Sequence, residues 1–326
     1  MNRRAVLCGA ICATLAIPLT AQGQQAGKMW RIGVVRASAP PPAEIEAFRH
    51  SLSELGYVEG NNLIIETRWA GGKEERLPAL VAELIRLKVD LILSSAPAAT
   101  LAAKEATTTI PIVMVTVADP LAFGFIHSLG RPGGNLTGLV FQHPELSGKR
   151  LELLKAAVPK FARVAVLWNG ANPYKAFDMR EVQAAAAAYG VIVESLPVEG
   201  AQDLDGAFRA ARQAQADALM TLEDPFTITH RARIVELART HRLPALYGRR
   251  VYVDAGGLMS YGPDPIEQYR RAAFYADRIF KGARPADLPV EQPTKFELVI
   301  NLRTARALGL TIPPSLILRA DQVVDP

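Results

Sequence analysis

The sequence predicts an α/β protein of two Rossmann-like lobes, each a parallel sheet covered by helices, joined by several hinge crossings. Three observations predict it. Short β-rich apolar runs alternate with amphipathic helical runs, the pattern of a parallel sheet covered on both faces. The second half repeats that order without repeating the residues, which calls for a second lobe. A late helix and a late strand are surplus to a simple tandem of two domains, so the chain is expected to cross back and forth.

In the first half, strands are expected at RIGVVR (31–36), NLIIETRW (62–69), VDLILSS (89–95), PIVMVTV (111–117) and LTGLVF (136–141). Between them Ile45, Phe48, Leu52 and Leu55 fall on one helix face, and Leu77, Leu80, Val81, Leu84 and Ile85 on another. The segment 144–147, ahead of the helix KRLELLKAAV, is the expected first crossing. The second half gives RVAVLW (163–168), an Ala-rich helix over 175–189, VIVESL (191–196), a helix over 204–214, ADALMTL (216–222), a helix over 227–240 and LPALY (243–247). After GGLMSYG (256–262) come a helix over 265–280, the proline-spaced ARPADLPVEQP and the strand FELVINL (296–302). This order assigns 29–141 and 264–290 to the first lobe, and 142–263 and 291–326 to the second.

The amino terminus puts Arg3 and Arg4 ahead of an apolar run from Ala5 to Ile17, with Ala21 and Gly23 placed for cleavage. It reads as a signal peptide over 1–23, too short for a membrane anchor of roughly 20 apolar residues. Cys8 and Cys12 lie inside that run, where neither suits lipidation, and both leave with it. The mature chain therefore has no disulfide, thiolate metal site or cysteine nucleophile. Two of the 37 basic residues also leave, so 35 face 32 acids, a balance of about +3. No run of five basic residues occurs, and this mild excess implies no nucleic-acid partner.

In open α/β sheets, ligands collect beyond the carboxyl ends of strands, where helix N-termini present free N–H groups. The first-half candidates are Ser38, Ser94, Ser95, Thr100, Thr116 and Asp119. Ser95 followed by Pro97 and small residues suits a carboxylate, with Ser95 also expected to cap its helix. Asp119, ahead of Pro120, suits an ammonium or a cap. The second-half candidates are Asn169, Asn172 and Tyr174, then Glu223 and Asp224, and Tyr247 at the end of LPALY. Asn-Pro and Asp-Pro pairs are also ordinary turn chemistry. Tyr261 and Trp168 offer rings for a flat ligand, and Trp168 fits a core position as well.

Enzyme signatures are missing: the sequence has no G-x-S-x-G, H-E-x-x-H or P-loop, and its five histidines match no zinc spacing. No metal or other cofactor is expected. The glycine run at 130–135 precedes a strand rather than a helix, so it reads as a turn and not as a phosphate cradle.

The runs ELGYVEGNNLIIETRWA, IPIVMVTVADP, SLGRPGGNLTGLVF, LSGKRLELLK, AGGLMSYG and KGARPADLPVEQPTKFELVINLRTARALGLTIPPSLILRAD resemble the ABC transporter substrate-binding protein family, which includes tryptophan- and tyrosine-binding importer subunits. The resemblance spans about 31–325. It implies a type I periplasmic binding protein fold and a cleft that closes on a small-molecule ligand, an amino acid or related carboxylate, aromatic ones included. It also implies a periplasmic location and ABC permease subunits as partners, with a monomer as the default state. The proline-rich loop ASAPPPAE (37–44) departs from the pattern and leaves the ligand open. A periplasmic sensor docking on a receptor and an enzyme on the same fold are the alternatives. Sugar-responsive repressors share the fold but carry a helix-turn-helix where this chain has its leader.

Overall fold

The computed structural model describes residues 28–37, 42–141 and 146–325. The expected leader (1–23), Ser38, and Pro144 and Glu145 of the expected first crossing lie outside the described residues.

Apolar runs bounded by helices build the first sheet from β1 (Trp30–Arg36), α1 (Pro42–Glu54), β2 (Leu63–Trp69), α2 (Leu77–Arg86), β3 (Leu91–Ser95), α3 (Pro97–Ala106), β4 (Ile112–Val117) and β5 (Leu136–Val140). Its order is β2-β1-β3-β4-β5, parallel throughout. β3 and β5 are buried along their whole length, as strands covered on both faces must be.

The second sheet is built from α4 (Leu146–Ala157), β6 (Arg163–Asn169), α5 (Lys175–Tyr189), β7 (Ile192–Val198), α6 (Leu204–Gln213), β8 (Ala218–Thr221), α7 (Pro225–Thr229), α8 (Arg231–Thr240), β9 (Ala245–Tyr247), α9 (Arg250–Asp254) and β10 (Met259–Pro263). After α10 (Pro265–Phe280) it is completed by β11 (Phe296–Asn301), α11 (Leu302–Ala307), α12 (Pro314–Ile317) and β12 (Gln322–Val324). Its order is β12-β11-β10-β9-β8-β6-β7, parallel except where β10 meets β11.

The single helix expected over 227–240 is two helices. Thr227 Oγ1 donates back to the Leu222 and Asp224 carbonyls, and Thr229 Oγ1 to that of Pro225. Such local bonds compete with helix continuation, and the chain breaks at His230 before α8 begins.

α10 lies between β10 and β11 in the chain, yet it packs on the first sheet. Its Tyr269, Ala272, Ala273 and Ala276 share a core with Ile32, Phe48 and Val113. Beyond it, Glu291 bridges to Leu139 and its carbonyl accepts from Val140 N at 2.9 Å, extending the edge at β5. The chain thus passes between the sheets after β5, between β10 and α10, and before β11. These crossings leave the carboxyl ends of the two sheets facing each other.

Candidate functional site

On the first sheet the facing residues are Arg36 at the end of β1, Ser94 and Ser95 at the end of β3, and Thr116 in β4. Ser95 Oγ and Thr116 Oγ1 are 2.7 Å apart, and Thr116 Oγ1 also accepts from Ala96 N at 3.1 Å. Ser94 and Thr100 pair at 2.9 Å, and Thr100 Oγ1 donates to the Ala96 carbonyl. The expected serine cap of α3 is not formed. The capping position is Ala96, without a side-chain bond, because the Ser95 hydroxyl pairs with Thr116 instead.

Ala96 (φ 73°) and Thr116 (φ 56°) both occupy the left-handed half of backbone space. The other such non-glycine residues among the described residues, Lys88, Lys160, Gln215 and Arg242, follow helix ends, where left-handed backbone is ordinary. Ala96 and Thr116 instead adjoin each other at the strand ends, and β4 shifts register there against β5. Strain of this kind costs about 1–3 kcal/mol per residue and concentrates at functional sites. Ala96→Gly is therefore expected to raise the urea midpoint, by about 1 kcal/mol of stability after glycine's own entropy cost. An unchanged or lower midpoint would show that Ala96 is not strained.

On the second sheet Asp224 organises the opposite wall. Its carboxylate accepts from Asn169 Nδ2 (2.9 Å), Asn172 Nδ2 (2.6 Å) and Phe226 N (2.7 Å). Lys175, at the start of α5, donates to Asp178 at 2.5 Å. Burial works against the Lys175 ammonium, yet Asp178, Asp224 and Glu223 hold its pKa above the ordinary value. Glu223 is the reverse: burial pushes its carboxyl up, against the pull of Arg249, Arg150 and Lys175. Arg150 reaches in from α4, its Nε donating to the Tyr261 carbonyl at 2.9 Å. It fits because position 248 is a glycine: a Cβ there would stand 2.7 Å from Arg150 Nη2.

Glu44 of α1 joins the two walls. Its carboxylate accepts from Arg36 Nη1 at 2.6 Å on its own side and from Arg249 Nη2 across the cleft. Arg36 also donates to the Tyr269 hydroxyl at 2.6 Å. Nearby, Phe123 meets Tyr174 edge-on at 4.6 Å and Phe177 at 5.7 Å, an aromatic contact between the same two walls. The sheets are closed on a cavity of about 50 Å³, flanked by Thr116, Phe123, Asn172, Glu223, Asp224 and Arg249. Ligand pockets usually hold roughly 300–1,000 Å³, so a ligand of amino-acid size enters only when the sheets separate.

Of the candidates expected from sequence, Thr116, Asn172, Glu223 and Asp224 border this cavity. Ser95 lies behind Thr116, Thr100 behind Ser94, and Asn169 beside Asp224. Tyr174 packs on Phe123 and Phe125. Asp119 accepts from Leu121 N and Ala122 N at 3.0 Å each and so closes a turn, with no helix following it to cap, in a neighbouring groove with Phe177 and Glu181. Two tyrosines are not brought to the cavity: Tyr247 is buried and stacked on Tyr252 at 4.6 Å, and Tyr261 stacks on Phe296 at 5.9 Å. Trp168 donates to Ser195 Oγ at 2.9 Å on the same second-sheet core. Sequence reasoning missed Arg36, Glu44, Arg150, Lys175 and Arg249. A basic residue closing or following an apolar strand, as in RIGVVR and LPALYGR, was the signal available for two of them.

Among the described residues no helix is long and apolar enough to cross a membrane, and no cluster of three His, Cys, Asp or Glu suits a metal ion. Residues 41–324 match the family model for the ABC transporter substrate binding protein. The chain is 25% identical over 266 residues, 81% of its own length and 76% of the other's, to a tyrosine-binding protein of Clostridioides difficile. A conserved domain protein of Vibrio cholerae superposes with a TM-score of 0.86 at 26% identity, over 91% of this chain and 100% of that one. An ABC domain from Streptococcus pneumoniae in complex with L-Trp gives a TM-score of 0.84 at 25% identity, over 90% of this chain and 99% of that one. With both sheets, their crossings and the facing strand ends in place, the chain belongs to the ABC transporter substrate binding protein family and has the type I periplasmic binding protein fold.

Proposed function

We propose that this protein captures an amino acid, aromatic ones included, by closing its two lobes over it, and presents the closed form to the permease of an ABC importer. The observation that carries this reading is the hydrogen-bonded wall at each sheet's carboxyl end, with Glu44 tying the two together. Ser95, Thr116 and the uncapped start of α3 suit a carboxylate, Asp224 and Glu223 suit an ammonium, and Phe123, Phe141 and Tyr174 suit a ring. Relatives that bind tyrosine and L-Trp support the same substrate class. The protein works in the periplasm as a monomer after cleavage near Gly23, its lobes dividing at 29–141 with 264–290 and 142–263 with 291–326. It releases its ligand chemically unchanged.

The test is a thermal-shift screen of mature protein, refolded to strip carried ligand, against L-tyrosine, L-tryptophan, L-leucine and aromatic acids. A ligand at 100 times its Kd adds about 2.7 kcal/mol, a shift of several degrees. A shift with unchanged ligand recovered afterwards supports capture. No shift with any amino acid refutes it, and an altered ligand would mean catalysis.

A further inference from the structure

Among the described residues, nine charged side chains are buried, and eight of them gather at the cleft. Four are cations, Arg36, Arg150, Lys175 and Arg249, and four are carboxylates, Glu44, Asp178, Glu223 and Asp224. The ninth, Asp277, pairs with Tyr57 and Lys281 elsewhere on α10. The formal charges of these eight side chains therefore cancel before any ligand arrives. Glu44 is the one carboxylate of the four that comes from the first sheet's side, and it lies between two guanidiniums. Arg249 has no equivalent replacement: its Nε and Glu223 Oε1 are 3.9 Å apart, and neither atom has a hydrogen-bond partner.

We propose that Glu44 is a resident counter-anion that makes the closed cleft neutral and so restricts capture to ligands carrying no net charge. This rests on the capture role proposed above and narrows its substrate class. A zwitterion brings equal and opposite charges, which the paired walls can share. An organic anion would leave one buried charge uncompensated on closure, a penalty on the order of 100-fold in affinity.

The test compares L-tyrosine with 3-(4-hydroxyphenyl)propionate, which keeps the ring and carboxylate but lacks the ammonium. Calorimetry on the wild type should favour L-tyrosine by on the order of 100-fold. Glu44→Gln should narrow that ratio at least about tenfold, because the cleft now carries a net positive charge. The double variant Glu44→Gln with Arg249→Met is neutral again and should restore the preference, an outcome that a merely structural role for Glu44 does not give. An equal ratio in wild type and Glu44→Gln overturns the proposal. A second arm measures thermal unfolding against sodium acetate at constant ionic strength, which requires no amino-acid ligand. Greater stabilisation of Glu44→Gln than of wild type supports the counter-anion, and an equal response overturns it. If the wild type binds no amino acid, the capture reading fails while the acetate arm still decides the role of Glu44.

Discussion

Replacing Asp224 with alanine is expected to cost about 3–5 kcal/mol of stability and to abolish ligand capture. The carboxylate is buried and accepts three hydrogen bonds, from Asn169, Asn172 and the Phe226 amide. Those bonds tie the loop after β6 to the start of α7. It is also among the charges that keep Lys175 protonated despite its burial. Alanine would remove all of this at once and leave the two asparagine amides and the Phe226 N–H without this acceptor. Asp224→Asn separates the two roles. Its carbonyl oxygen can still accept from Phe226 N and one asparagine, so most of the fold should survive. The negative charge is gone, so affinity for an amino acid should still fall by about two orders of magnitude if Asp224 faces the ammonium. Urea unfolding and calorimetry on both variants check this. Full affinity in a folded Asp224→Asn protein would remove Asp224 from the ligand's contacts.

The sheets were legible because their central strands, such as β3, β4 and β8, are apolar runs, a signal that survives without knowledge of partners. α5 was predicted over 175–189 and is found there, since Gly190 at φ 66° ends it with the left-handed turn that an L side chain disfavours. α10 was predicted over 265–280 and is found there, where Asp264 caps it and Pro265 takes its first position. The short elements α9, α11, α12 and β12 were not, because three to six residues carry too little periodicity.

The cleft was legible only in part. Polar residues at strand ends stand out against apolar runs, so Thr116, Asn172, Glu223 and Asp224 could be named. Glu44 could not, because its meaning depends on Arg249, 205 positions away, and on a helix face that carries no local mark. Tyr247 does not border the cavity, for a physical reason. A tyrosine ending a strand looks available to a ligand, but strand alternation turns this one into the core against Tyr252, where its hydroxyl is pushed far above the ordinary pKa by burial.

Arg249→Met is expected to open the unliganded protein and to weaken capture on the order of 100-fold without a comparable loss in folding stability. In the closed form the variant would leave Glu44 with Arg36 alone and Glu223 with Arg150 and Lys175 as its nearby cations. A buried carboxylate that loses its partner in a rigid core destabilises the whole fold. Here the two partners sit on opposite walls of the cleft, and separating the sheets returns Glu44 to water at the expense of the aromatic contacts of Phe123 and Phe125 with Tyr174 and Phe177. Opening is thus the cheaper relief, and the lost pairing should appear as a shift in the closed population rather than in the unfolding midpoint. Arg249→Lys keeps the charge but loses the planar fork, and should fall between variant and wild type. Small-angle scattering of the ligand-free proteins should give a larger radius of gyration for Arg249→Met, with saturating ligand restoring the compact form. If the radius is unchanged while the urea midpoint falls by the full amount, the two sheets behave as one rigid body and the Glu44 to Arg249 bridge is a core contact rather than a clasp.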